Sequence, residues 1–425
     1  MVIAGKMQNV GHGRELKMRA RARGASRKLL SPGVARILVG LALTLAAAFP
    51  AAASAKPAGA DCQLAYTPYS LDTPLIDLML DPRAKAALDE AGMLNAIPER
   101  MRDPTPPTFA TIISPRKMLG QRSPEKLAAL DARLAAIPIS DEAAVRRCAR
   151  YDHVRPDLPR PAGRPAILVF EKITGFKDVP SVEAAHKAFA DMAVRRGWSI
   201  TFTDNGAAFN TAQLKAYDAV VWNNISGDAL TLPQRKAFQA YLAAGGGFAG
   251  VHGSGGDPIY IWDWYPDVLI GARFIGHPMN PQFQAATVVV EGPKSGIVAK
   301  LPDSWTMTEE WYSFAASPRA KVHVLARLDE STYKPAHMAM GSDHPIAWSH
   351  CLGDGRAFYT AIGHRPESYT EPDSRELLEQ GVAWAAGAGE TTCKAGREVS
   401  TAKGDRRPRQ HAARDDRQQN PQQAN

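Results

Sequence analysis

The chain has 425 residues, 45% of them hydrophobic and 22% charged, with a formal net charge of +8. That composition describes an ordinary soluble globular protein with room for two or three domains. The charge excess lies in residues 1–55, where nine basic side chains face one acid, Glu15, so the near-neutral remainder excludes a nucleic-acid partner argued from charge.

Residues 1–55 have the order of a signal peptide. Basic residues from Lys6 to Arg36 lead into an apolar run, Ile37–Phe49, and then to AAASA, with small residues at Ala53 and Ala55. The run is shorter than the ~20 residues that a lasting membrane span needs. Cleavage after Ala55 is expected, with Met1 or Met18 as the start, giving a periplasmic or secreted protein with no stable membrane insertion. An uncleaved N-terminal anchor is the competing reading. The four cysteines agree with export. None has C-x-x-C spacing, and an even count in an oxidising compartment points to two disulfides. Proximity along the chain pairs Cys62 with Cys148 and Cys351 with Cys393.

Residues 56–152 read as a small helical region of two or three short helices closed by the first disulfide. Asp72, Asp81 and Ser123 stand as helix caps before prolines. A proline-rich linker, 153–165, follows. From Ala166 the pattern becomes β-branched apolar runs alternating with amphipathic helices. Strands are expected at Ala166–Phe170, Trp198–Thr203, Ala219–Trp222 and Phe248–Val251. Helices are capped by Ser181 and Asn210 or opened by Pro233. Such alternation predicts parallel βαβ units covered on both faces. After residue 285 the runs ATVVVEG, VHVLARL, IAWSHC and RAFYTAIG are strands with few helices between them, so antiparallel members are expected. RELLEQGVAWAAG closes the domain, 166–389, as a helix. Residues 394–425 are almost without apolar side chains and are expected to be a disordered polar tail.

The stretch Tyr241–Asp257, YLAAGGGFAGVHGSGGD, ends a helix, runs through a buried strand and presents His252 at the strand's carboxyl end, where ligands sit in open α/β sheets. Together with ITGF (Ile173–Phe176), YDAVVWNNISGDAL, WDWYPDVLIGARFIGHP, EEWYSF, VHVLARLDESTY, DHPIAWSH and GRAFYTAIGHRPESY, it resembles the trehalose-utilisation (ThuA-like) family from Ala166 to Gly389. The resemblance implies a flavodoxin-like, mostly parallel α/β sheet with helices on both faces, related to class I glutamine amidotransferases. It also implies a role in disaccharide catabolism through 3-keto sugars, in a family whose members are often exported.

An amidotransferase needs a cysteine nucleophile at the turn after the strand. Here the turn reads Val251-His252-Gly253-Ser254, which excludes that chemistry, and no G-x-S-x-G elbow supports a serine hydrolase. What remains is a set of polar residues in loops after strands: His252, His277, Glu309, Glu310, His344 and His364. Acid–base chemistry on a sugar assigns catalysis to His252, Glu310, His344 and His364. A divalent metal such as zinc would be held by His252 and His277. The bland reading makes each histidine a turn cap. Trp262, Trp311, Tyr312, Asn223 and Asp343 are the expected sugar contacts, and the sequence leaves the oligomeric state open. The family's usual histidine after ITGF is missing, as is a second His-Pro where Lys294-Ser295-Gly296 stands. The alternative function is therefore a non-catalytic carbohydrate-binding or cell-envelope interaction protein on a degenerate amidotransferase-like scaffold.

Overall fold

A computed structural model of the chain describes residues 56–118, 123–388 and 393; the expected signal peptide and polar tail lie outside the described residues. The first part is helical: α1 (Leu75–Met79), α2 (Pro82–Glu90), α3 (Pro115–Met118), α4 (Pro124–Ala135) and α5 (Asp141–Cys148). Asp81 caps α2 by accepting from the Arg83 amide at 2.9 Å, with Pro82 opening the helix. Ser123 and Ser140 cap α4 and α5 in the same way. Asp72 is not a cap. A turn closed by the Thr73 amide on the Ser70 carbonyl keeps it outside α1, and its carboxylate pairs instead with Arg116 at 2.8 Å. Leu71, Leu75, Leu88, Leu94, Leu130 and Leu134 build a core of their own. The Cys62–Cys148 disulfide closes the region across 86 residues.

This region is docked on the rest of the chain by specific bonds. The Thr108 amide and the Thr111 hydroxyl both donate to the Thr174 carbonyl, at 3.1 and 2.9 Å. The Tyr151 hydroxyl donates to Asp228 at 2.7 Å, and the Leu232 amide to the Asp61 carbonyl at 2.9 Å.

The apolar runs form β1 (Ala166–Phe170), β2 (Ser199–Thr203), β3 (Ala219–Asn223) and β4 (Gly247–Val251). All residues of β1, β3 and β4 are buried, as strands covered on both faces require. The helices between them are α6 (Val179–Arg196), α7 (Thr211–Leu214) and α8 (Leu232–Ala243), and α9 (Pro372–Ala385) packs on β3, β4 and the last strand. Asn210 caps α7, with its side-chain oxygen accepting from the Gln213 amide at 3.1 Å. Ser181 does not cap α6. The helix begins earlier, at Val179 with Pro180 in its first turn, so Asp178 takes the cap position.

Later strands are β5 (Phe274–Gly276), β6 (Phe283–Val290), β7 (Ser304–Glu310), β8 (Ser313–Phe314), β9 (His323–Asp329), β10 (Pro345–Leu352) and β11 (Gly355–Thr360). The main sheet runs β2-β1-β3-β4-β11-β10-β9-β6-β7. Its first five strands are parallel and the rest antiparallel. This is a flavodoxin-like α/β fold with an antiparallel extension. Cys351 in β10 is bonded to Cys393. Among the described residues, no helix is long and apolar enough to cross a membrane.

Candidate functional site

The strand order places β3, β4 and β11 side by side with their carboxyl ends together, where an open α/β sheet leaves its binding crevice. His252 is the first residue after β4. Its backbone φ is +36°, a left-handed conformation that a side chain with a Cβ adopts only under constraint. Local packing imposes it. A Cβ on Gly255 would lie 2.5 Å from the Tyr359 ring, and one on Gly256 would lie 2.5 Å from the Tyr312 hydroxyl. The turn is therefore clamped between two buried aromatics, and the Tyr359 hydroxyl donates to the His252 carbonyl at 2.9 Å.

From that turn the imidazole meets the segment after β11 and the end of β7. His252 Nδ1 lies 2.7 Å from the Ala361 carbonyl, which can only accept, so Nδ1 carries the proton. His252 Nε2 lies 3.2 Å from His364 Nδ1 and 3.3 Å from Glu310 Oε2. Glu310 Oε2 is also 3.0 Å from His364 Nδ1, and its Oε1 is 3.2 Å from His277 Nε2. The Gln282 amide donates to the same Oε1. Burial alone would raise the Glu310 carboxyl, but hydrogen bonds and charge from His252 and His364 override it and hold the group well below the usual carboxylate range. His364 shows the reciprocal effect. Burial disfavours its charged form, yet the Glu310 bond and the nearby acids Asp178 and Glu309 raise it above an ordinary histidine.

Glu309 orders the loop that carries His364. It is fully buried, and its Oε2 accepts from the Gly363 amide at 3.0 Å and the Ser368 hydroxyl at 2.5 Å. Ser181, in the first turn of α6, contacts the His364 carbonyl from the other side.

The cluster opens into a cleft of about 820 Å³, within the range of small-molecule sites. Tyr312 is its floor, with its ring centroid 4.1 Å from that of His252. Phe176, Phe274 and Phe283 supply aromatic walls, and Asn224, Asp257 and Arg365 supply polar ones. The helical region completes the wall with Phe109, Ile112 and Ile113; the Phe109 ring lies 4.9 Å from Phe176.

Of the residues singled out from the sequence, His252, His277, Glu310, Tyr312 and His364 converge on this cleft. The others are placed elsewhere. His344 is fully buried, bridging Glu330 at 2.7 Å and the Tyr312 carbonyl at 2.8 Å, so it supports the floor without reaching the cavity. Trp311 is in the core, its indole N–H donating to the Gln284 carbonyl at 2.8 Å. Asn223 is turned inward onto Glu171 at 2.8 Å, and its neighbour Asn224 takes the place in the cleft. Asp343 pairs with Arg319 at the surface, at 2.6 Å. Trp262 lines a separate small pocket of about 40 Å³, its ring 5.0 Å from the Arg235 guanidinium. Among the described residues, ligand atoms of His252, Glu310 and His364 lie within 4.8 Å of one another, while His277 stands on the other oxygen of Glu310 at 3.2 Å.

A family model described as trehalose utilisation (ThuA) matches residues 166–385, just over half of the chain. No curated protein matches the sequence. Among solved structures, the chain is similar to a ThuA-like protein from Bacteroides uniformis ATCC 8492, with 25% identity over 53% of this chain and 92% of that one, at a TM-score of 0.46. A ThuA-like protein from Parabacteroides merdae ATCC 43184 is 15% identical over 54% of this chain and 92% of that one, at a TM-score of 0.42.

Proposed function

The chain belongs to the trehalose-utilisation (ThuA) family, and from that premise we propose that it is an exported enzyme of disaccharide catabolism that moves a proton on a keto-sugar bound in the cleft. The observation that carries this reading is the convergence of His252, Glu310, His364 and His277 on one cavity from four separate segments of the chain. A carbonyl beside a sugar C–H makes that hydrogen acidic, and its removal needs a positioned base and a centre that tolerates charge on the oxygen. His277, the most exposed of the four at 21%, faces the cleft edge and is the group placed to exchange the proton. The more buried His252–Glu310–His364 cluster is the centre toward which the sugar oxygens point. Aromatic rings opposite polar groups suit a sugar, whose apolar face stacks while its hydroxyls bond. Export is supported by the two disulfides and by the basic-then-apolar order of residues 1–55.

The test is incubation of the purified protein with a 3-keto disaccharide, followed by proton NMR in deuterated water. Exchange or conversion at the carbon beside the ketone is expected, abolished by His277→Ala with the fold intact. Saturable binding without exchange or product would leave a sugar-binding protein, and no binding at all would refute the sugar reading.

A further inference from the structure

We infer that His252, Glu310 and His364 form a site for one divalent first-row cation, zinc by preference, with open coordination positions facing the cleft. This deepens the proposed sugar site and rests on that reading for its chemical purpose. Ligand atoms about 2.0–2.1 Å from a tetrahedral ion stand roughly 3.3–3.4 Å from one another. Here Glu310 Oε2, His364 Nδ1 and His252 Nε2 form a triangle with edges of 3.0, 3.2 and 3.3 Å. That is the face such an ion would cap.

The proton inventory leaves a place for such an ion. Because His252 Nδ1–H is committed to the Ala361 carbonyl, the neutral ring has a bare lone pair on Nε2. That lone pair faces a carboxylate oxygen and a second ring nitrogen, so a shared proton or a cation must lie among the three. The surroundings resemble the outer partners that orient metal ligands. The Ala361 carbonyl fixes the His252 ring, the Gln282 amide holds the other Glu310 oxygen, and Asp178 lies 3.9 Å from His364 Nε2. Two imidazoles and a carboxylate, with no thiolate, suit zinc or a similar borderline ion and leave at least one position free. A bound ion there would polarise a sugar carbonyl or hydroxyl entering from the cleft.

The experiment uses the full mature protein stripped with a chelator, then titrated with ZnCl2 by calorimetry and with CoCl2 by visible absorption. One ion per chain is expected, with the cobalt bands of four- or five-coordination. Glu310→Gln and His364→Asn should each weaken zinc binding by at least ~100-fold, the upper end of what loss of an outer partner costs. Both should remove the cobalt bands while circular dichroism and cooperative unfolding persist. His323→Ala, at an exposed histidine of β9, should bind as the unaltered protein does. Absence of stoichiometric binding, or binding that survives both cluster variants, overturns the inference. Keto-sugar binding is measured on the same stripped sample. Sugar bound with no ion at the cluster defeats the metal site alone, whereas an ion bound at the cluster with no sugar defeats the sugar reading alone.

Discussion

Asp257 gives the sharpest thermodynamic expectation. Its carboxylate accepts from the Ser226 hydroxyl and the Gly227 amide, both at 2.7 Å, and the residue is 7% exposed. Burial pushes its pKa from 3.8 up to about 7, with the neighbouring Asp228 adding to the rise and those two hydrogen bonds opposing it. The folded state therefore binds more protons than the unfolded chain between about pH 4 and pH 7. Stability must fall as pH rises through that window, with the full cost present above pH 7 and absent below pH 4. At 1.36 kcal/mol per pKa unit, the contribution is about 4 kcal/mol, a large share of the ~5–15 kcal/mol that holds a typical domain. Asp257→Asn removes the titration. Its carbonyl can accept from Gly227 while its NH2 donates to Ser226, at a cost of about 1 kcal/mol for the hydroxyl proton left without its acceptor. Denaturant unfolding from pH 4 to pH 8 should show the variant weaker at the acid end and stronger by about 3 kcal/mol at the alkaline end, so that the two curves cross. Parallel curves would refute the buried-acid argument.

Loss of the Cys62–Cys148 bond, by Cys→Ser at both positions, should cost up to about 4.5 kcal/mol in the chain-entropy account, because the loop it closes spans 86 residues. Loss of Cys351–Cys393, spanning 42 residues, should cost less; the order of the two denaturation midpoints checks this. Gly255→Ala drives a Cβ to 2.5 Å from the buried Tyr359 ring, and calorimetric melting should show a loss of about 1–3 kcal/mol together with displacement of His252. Phe109→Ala removes one aromatic wall contributed by the helical region and should raise the sugar KM with little change in kcat. An unchanged KM would mean that the helical region does not touch the substrate.

The parallel half of the fold was readable because its strands are continuous apolar runs with turn residues at both ends, and buried strands leave no other pattern. Strand β7 escaped for the opposite reason. SWTMTEE alternates buried and exposed positions and ends in two acids, which look solvent-exposed until tertiary structure buries both Glu309 and Glu310. The site showed the same division. His252 announced itself through glycines that only a tight strand-end turn needs. His344 carried a similar signal, His beside Pro after an acid, but its ring is consumed by Glu330 and a backbone carbonyl. Local sequence shows that a side chain is presented by a turn; it does not show on which side of a floor residue the ring falls. The aromatics failed similarly, since Trp311 and Tyr312 are adjacent and point to opposite fates, one to the core and one to the cleft.

The composite origin of the cleft also explains why fold kinship does not carry the chemistry across. The turn after β4 is the place where this architecture presents whichever side chain it has, held there by the clamped backbone of residue 252. A thiol at that position would be a nucleophile; an imidazole with its Nδ1 tied to Ala361 can be only a base or a ligand. Which of these it is depends on Glu310, at the end of β7 in the antiparallel extension, and on His277, just after β5, 58 and 25 residues further along the chain. The helical region then supplies Phe109 and closes the cleft. The parallel half fixes a position for chemistry, the extension fixes the charge, and the preceding region shapes what can enter. Changing the extension while keeping the turn should therefore alter the reaction and leave the fold standing.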